Sequence, residues 1–335
     1  MHMSDALLSP AVGGAMWAAT AAVGARCAAK VRKDADDRRV PLMGVLGAFV
    51  FAAQMVNFSV PGTGSSGHLA GGVLLAILLG PHASFLVMAS VLAIQALFFA
   101  DGGLLALGCN VFNMSFFASF LAYPLVYRPI AGLQRTRGRV MAGVIAASVA
   151  ALALGSLGVV LETTLSGISS LPFRPFVLLM LPLHIAIGLV EGLVTASVVA
   201  VLQRERPDLV EAGGVRSRPL RPILFAIAAA AALTGGALSW FASAHPDGLE
   251  WAVARTVGEH PAAAPSSGAH ALLGRFQGWT AILPDYGFAG ESQARPVGAW
   301  PQVKAATSVS GLVGSALTFG VAVLLGASIR RSRRR

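Results

Sequence analysis

Long apolar runs, separated by short basic or glycine-rich segments, set the pattern of this chain. The runs predict helices over about 7–29, 42–58, 69–80, 83–100, 104–127, 140–161, 176–202, 222–243 and 306–329. Most approach the ~20 apolar residues that a helix needs to cross a bilayer. None alternates with a period of two, which speaks against a membrane β-barrel. The third run reaches roughly 18 Å as a helix, short of a ~30 Å hydrocarbon core. A Gly/Ser loop over 59–68, a turn at 101–103, a polar loop over 162–175 and a polar region over 244–305 join the runs. The pattern predicts an all-α, polytopic membrane helix bundle, with about seven helices in the core plus two C-terminal helices. Three segments follow: a membrane domain over 1–205, a basic linker over 206–221, and a two-helix region over 222–335 that carries the loop 244–305.

Composition agrees. Apolar residues make up 55% of the chain and charged residues 12%, against about 25% charged in soluble domains. The net charge of +10 sits in segments between the runs, as the positive-inside rule describes, so it gives no case for a nucleic-acid partner. If residues 69–80 cross the membrane, the segments 30–39, 128–139, 203–221 and the C-terminal tail share one side and hold 19 of the 25 Lys and Arg. That parity places the N-terminus outside the cytoplasmic membrane and the C-terminus inside, with nine helices between. Met1, the 59–68 loop and the 244–305 region then share the outer face. No basic residue precedes Arg26, so the first apolar run lacks the charged start of a signal peptide, and the N-terminus is expected to be retained. Cys27 and Cys109 lie in or beside apolar runs and suggest no disulfide framework.

The candidate chemistry starts at Met1-His2. A free amine, an amide nitrogen and an imidazole nitrogen within one dipeptide can close fused five- and six-membered chelate rings around one ion. An N-terminal amine titrates near ~7.8, so its lone pair is freed at little cost. Tetragonal nitrogen donors suit Ni²⁺ or Cu²⁺, and Co²⁺ less strongly. A histidine at position 2 leaves one corner of the plane open, and His68, in a loop made pliable by Gly62, Gly64 and Gly67, is the candidate to fill it. His184 and Glu191 lie two turns apart on one face of their run, and intramembrane ionisable residues are functional candidates by default. Their alternative is interhelical hydrogen bonding, the reading also given to Gln95, Asn110 and Asn113. A hydrolase would have to assemble Ser65 or Ser66, His68, or His184 and Glu191 at one depth, yet His68 is expected outside and His184 within a helix. No HExxH zinc motif and no phosphate-binding GxxxxGK[ST] loop occurs. A channel would need a polar stripe along several helices, and the runs are too uniformly apolar for one.

Several stretches resemble one family. The opening Met1-His-Met-Ser-Asp-Ala-Leu-Leu-Ser-Pro10, Gly67-His68-Leu-Ala-Gly-Gly72, Asp101-Gly-Gly-Leu-Leu-Ala-Leu-Gly-Cys-Asn110 and Glu191-Gly-Leu-Val-Thr-Ala196 are similar to the CbiM/NikM substrate-binding components of energy-coupling factor (ECF) transporters. His245-Pro-Asp-Gly-Leu-Glu-Trp251 resembles the small two-helix N component, so the chain looks like a fusion of the two. The resemblance implies uptake of Ni²⁺ or Co²⁺ as transported substrate and no catalytic cofactor. It also implies metal ligands at Met1, His2 and His68. The partners it implies are a transmembrane coupling (T) protein and separate ABC ATPase subunits, which would supply the ATP hydrolysis this chain lacks the motif for. The family opening often reads Met-His-Ile-Pro-Asp-Gly; here Met3-Ser4 and Ala6 depart from it. Asp101 stands where a histidine is more usual, so no ligand role is expected there.

Overall fold

The computed structural model describes residues 1–33, 39–132, 136–210, 219–258, 265–288 and 300–331. Helices α1 (Pro10–Lys33) and α2 (Arg39–Gln54) lead into a hairpin of β1 (Phe58–Val60) and β2 (Ser65–Gly67). Then come α3 (Gly72–Leu79), α4 (Pro81–Phe99), α5 (Leu107–Ala131), α6 (Arg137–Ser166) and α7 (Phe173–Glu205). The C-terminal region adds α8 (Arg221–Gly236), α9 (Gly248–Val257), α10 (Gly268–Thr280) and α11 (Ala305–Arg331). The fold is the all-α membrane bundle that the apolar runs predict.

Among the described residues, α4, α5, α6, α7 and α11 are long and apolar enough to cross a membrane. Helices α2 and α8 are apolar but have 16 residues each. Helix α1 has 24 residues, but its alanine- and glycine-rich sequence leaves it outside the strongly apolar set. The third run shrinks to an eight-residue helix between Gly71 and Gly80, whose φ angles are +78° and +79°. Nearly all of α3 is buried, so its ends lie in protein, where non-helical backbone is tolerated at membrane depth.

The polar region over 244–305 departs most from expectation, because it contains α9 and α10 as well as loop. The eighth run ends its regular helix at Gly236 instead of 243 and continues as a short turn, Leu238–Phe241. Helices α8 and α11 both lie on α2 and on each other, and a Cβ on Gly311 would collide with the Gly235 backbone. Small residues let helices approach this closely where lipid supplies no hydrophobic drive. Part of the expected linker over 206–221 lies outside the described residues, as do Arg38, Arg135, Arg216, Arg218, Arg295 and the final arginines.

Residues 1–9 run into the bundle. Met3 and Leu8 are fully buried, in a cluster shared with Leu105 and Cys109, Val159 on α6, Phe176 on α7 and Leu249 on α9. A Cβ on Gly103 would overlap the Asp5 carboxylate, so glycine is needed where the turn after α4 meets the N-terminal segment.

Candidate metal centre

The N-terminal segment is held by its main chain. The Met3 amide donates to Asn110 Oδ1 at 2.8 Å, and the Met3 carbonyl accepts from Asn110 Nδ2 at 3.2 Å and from the Gly103 amide at 2.9 Å. One amide side chain thus pairs with both backbone groups of one residue, as a neighbouring strand would. Two residues on, Asp5 Oδ1 accepts the Ala106 amide at 3.0 Å. His270 Nε2 lies 2.8 Å from the Leu8 carbonyl.

His68 arrives by way of the hairpin. Strands β1 and β2 pair antiparallel, Phe58 opposite Gly67, and the turn between them uses Gly62 and Gly64 at φ +78° and +76°. Beyond His68, the buried Glu191 carboxylate accepts the amides of Ala70 at 2.8 Å and Gly71 at 3.1 Å. Helix α7 therefore grips the chain just past the imidazole.

These two arms bring His2 and His68 together, with ring centroids 5.1 Å apart and planes at 22°. His68 Nδ1 lies 3.2 Å from the Leu69 carbonyl. A carbonyl only accepts, so Nδ1 carries the proton and Nε2 keeps its lone pair. That Nε2 is buried and has no hydrogen-bond partner among the described residues, which is costly for a polar atom unless something binds there. Burial, the nearby Met1 amine and His2 push the His68 imidazole down to about 3, so it is neutral at physiological pH.

The tautomer of His2 is fixed by a chain of amides. Gln54 Nε2 donates to the Ala70 carbonyl at 2.8 Å, and Gln54 Oε1 accepts from Gln95 Nε2 at 2.8 Å. Gln95 Oε1 is thereby turned to His2 Nε2, at 3.2 Å, and must receive its proton. In the neutral ring this leaves the lone pair on Nδ1, the nitrogen that can close a chelate ring with the residue-2 amide. Nδ1 lies 3.5 Å from Asp101 Oδ1. A lone pair facing a carboxylate is a conflict, and a cation at Nδ1 removes it. Burial lowers the His2 pKa, the Asp101 carboxylate opposing and the Met1 amine adding to the fall. Asp101 Oδ2 in turn accepts the Tyr286 hydroxyl at 2.5 Å.

The Met1 amine lies 3.3 Å from Asp247 Oδ2. Burial raises the Asp247 pKa, but the Met1 ammonium, the Glu250 amide and the two imidazoles outweigh it and hold the carboxyl well below its usual range. A cavity of about 270 Å³ adjoins the centre, lined among others by His2, His68, Asp101, Asp247, Tyr286 and Lys304. A smaller one of about 10 Å³ touches Met1, His68, His184 and Asp247.

The expected site residues Met1, His2 and His68 therefore converge. No three His, Cys, Asp or Glu side chains among the described residues are grouped to hold a metal; a chelate that draws its amine and amide from the main chain needs only the two imidazoles. His184 also borders this centre, which corrects the expectation that it lies at a different depth from His68. It is not assembled for hydrolysis, however. His184 Nδ1 is 2.8 Å from its own helix's Met180 carbonyl, Glu191 is occupied by the loop amides, and the Ser66 hydroxyl donates to the His245 carbonyl at 2.8 Å. Gln95 and Asn110 shape the site and are more than bundle adhesive. Asp101, Asp247 and Tyr286 touch or support it with no assigned role in the sequence reading. An intramembrane amide must find a partner in the absence of water; that signal pointed to Gln95, Asn110 and Asn113 without naming the partner, and it applies equally to Gln54, which the sequence reading missed.

Comparison with known proteins decides the family. The family described as "Cobalt uptake substrate-specific transmembrane region" (CbiM) matches residues 2–209. The chain belongs to the CbiM family. A second family, the PDGLE domain, matches residues 221–331. The chain is 31% identical over 311 residues to the fused nickel transport protein NikMN of Rhodobacter capsulatus, covering 85% of this chain and 88% of that one. It is 38% identical over 211 residues to a putative fused nickel transport protein NikMN of Archaeoglobus fulgidus, covering 63% and 68%. It is 35% identical over 246 residues to the cobalt transport protein CbiM of Geobacter sulfurreducens, covering 68% of each. A crystal structure of a transition metal transporter is similar at 34% identity and a TM-score of 0.54, over 61% of this chain and 93% of that one. This CbiM-family chain is a multi-pass membrane protein and a nickel or cobalt transport component.

Proposed function

We propose that this protein captures Ni²⁺ or Co²⁺ with four nitrogens: the Met1 amine and the His2 amide, each giving up one proton to solvent as the ion binds, His2 Nδ1 and His68 Nε2. The observation that carries this reading is the buried Nε2 of His68, without a partner among the described residues, beside a His2 whose tautomer leaves Nδ1 unprotonated. A nitrogen plane favours Ni²⁺ over Co²⁺, in keeping with the names of the fused relatives. Copper would bind such donors more tightly still, so metal supply contributes to selectivity.

The chain serves as the substrate-capture component of an ECF-type ABC transporter, with a T protein and ABC ATPases as partners. Residues 1–205 form the metal-binding domain, 206–221 a cytoplasmic linker, and 222–335 the N-like region whose 244–305 segment lies outside the membrane. The N-terminus faces out and the C-terminus faces the cytoplasm. Metal content and affinity of purified protein test the centre. Wild type is expected to bind one Ni²⁺, whereas His2→Ala, His68→Ala and a chain lengthened by three residues ahead of Met1, which carries the amine away without placing the histidine third, lose stoichiometric binding. Intact binding in the lengthened chain means that the amine is not a ligand. Uptake that vanishes without the ATPases supports the coupled transporter, and uptake that persists means a channel.

A further inference from the structure

The C-terminal region meets the metal-binding end of the chain at Asp247, in the stretch Pro246-Asp-Gly-Leu-Glu250. Asp247 Oδ1 accepts the amides of Leu249 and Glu250 at 2.8 Å each, and Glu250 Oε2 accepts the Asp247 amide at 3.2 Å. This reciprocal cap starts α9 and fixes the Asp247 side chain. It occupies one carboxylate oxygen and leaves Oδ2 aimed at the Met1 amine, 3.3 Å away.

The segment that carries Asp247 is tied to the hairpin that carries His68. The Ser66 amide donates to the Pro246 carbonyl at 2.8 Å, and Trp251 Nε1 donates to the Thr63 carbonyl at 2.9 Å. On the other side Gly248 packs against His184, where a Cβ would come within 3.1 Å of the ring. Asp247 and His68 therefore share one framework, and the position of the carboxylate relative to the open corner is set by it.

An amine that coordinates an ion through its lone pair keeps two N–H bonds. It can go on donating to Oδ2 after the metal binds, so the same contact fits both states. The carboxylate also offsets the charge that a divalent ion brings into a buried place. Groups that orient ligands in this way are as much part of a metal site as the ligands themselves.

We propose that Asp247 is a positioning residue of the metal site, supplied by the C-terminal region: its Oδ2 holds the Met1 amine in place for the ion and keeps that hold once the ion is bound. The inference rests on the reading that the Met1 amine is a ligand. It makes the PDGLE region a component of the binding site itself.

Asp247→Asn separates the two duties of this carboxylate. Asparagine caps a helix as well as aspartate does, but with its oxygen on the helix it turns an NH₂ toward the amine. Glu250→Gln is the companion variant, because it preserves the cap while removing a neighbouring charge. Full-length protein in detergent is titrated with Ni²⁺ against a competing chelator, and its absorption spectrum is recorded. Asp247→Asn is expected to bind roughly ten- to a hundredfold more weakly, with the spectrum of the same four donors and an unchanged melting temperature without metal. Glu250→Gln stays near wild type. Wild-type affinity in Asp247→Asn, or an equal loss in Glu250→Gln, overturns the proposal. Should Asp247→Asn not fold, Asp247→Ser also caps but is too short to reach the amine; it must show the same loss, and normal affinity in it is equally decisive against. The chain lengthened ahead of Met1 tells the two readings apart. Lost binding there with normal binding in Asp247→Asn overturns the positioning role alone, whereas retained binding removes the ligand role of the amine and this proposal with it.

Discussion

The proposed metal site at the N-terminus has two unlike walls. Toward the helix bundle it meets neutral amides: Gln54, Gln95 and Asn110. On the other side it meets carboxylates: Asp247 of the C-terminal region on the amine, and Asp101, from the turn after α4, on His2 with Tyr286 behind it. Amides fix direction without bringing charge, so the bundle wall decides where Met3 lies and which nitrogen of His2 is protonated. Carboxylates bring negative charge beside the proposed cation site. The division teaches that geometry and electrostatics are supplied here by different kinds of side chain.

That division can be broken most forcefully at Asn110. Asn110→Ala removes the partner of the Met3 amide and leaves that buried donor unpaired, at about 1–3 kcal/mol, while the Met3 carbonyl keeps only the Gly103 amide. Ni²⁺ affinity is expected to fall by about a hundredfold, with a lower melting temperature and an altered spectrum as the chelate is misplaced. An unchanged spectrum would show that the bundle wall does not set the geometry. Gln95→Leu comes next, at roughly ten- to a hundredfold, because His2 Nε2 loses its acceptor and the tautomer is no longer imposed. Gln95→Glu keeps an acceptor and recovers most of that loss in the same chelator competition. Asp101→Asn is expected to cost about tenfold with the spectrum unchanged, and Tyr286→Phe less. If Asp101→Asn alters the spectrum as Asn110→Ala does, the two walls do the same job and the comparison fails.

The smallest effect is on pH dependence without metal. The His68 imidazole titrates at about 3 in the folded protein, against ~6.5 when unfolded. Between these values the unfolded chain binds the extra proton, so the contribution of His68 to stability is present above ~6.5 and is lost as pH falls toward the folded value. The melting temperature of metal-free wild type is expected to drop between pH 7 and 5, and by less in His68→Gln.

The sequence was informative where chemistry depends on position along the chain. A histidine next to the amine is a chelate by connectivity alone, and the glycines before His68 mark a turn that other residues resist. The apolar runs likewise predict the bundle, because a bilayer demands length. The amide network was illegible for the opposite reason: Gln95 and Asn110 are defined by residues 93 and 107 positions away in sequence. Helices α9 and α10 escaped notice because they are short and lie in a polar, proline- and glycine-rich stretch. Asp247 was visible as part of a motif, but which atom its second oxygen meets depends on the docking of α9.

The grip of Glu191 on the amides of Ala70 and Gly71 has a consequence for how the family varies. A carboxylate that reads main chain places its demand on one partner only. Among relatives, position 191 should stay fixed as glutamate while position 70 drifts without compensating change, within the limits of its burial. Two positions in firm contact would then show no covariation, and a contact map inferred from an alignment would miss the tie that holds the loop of His68.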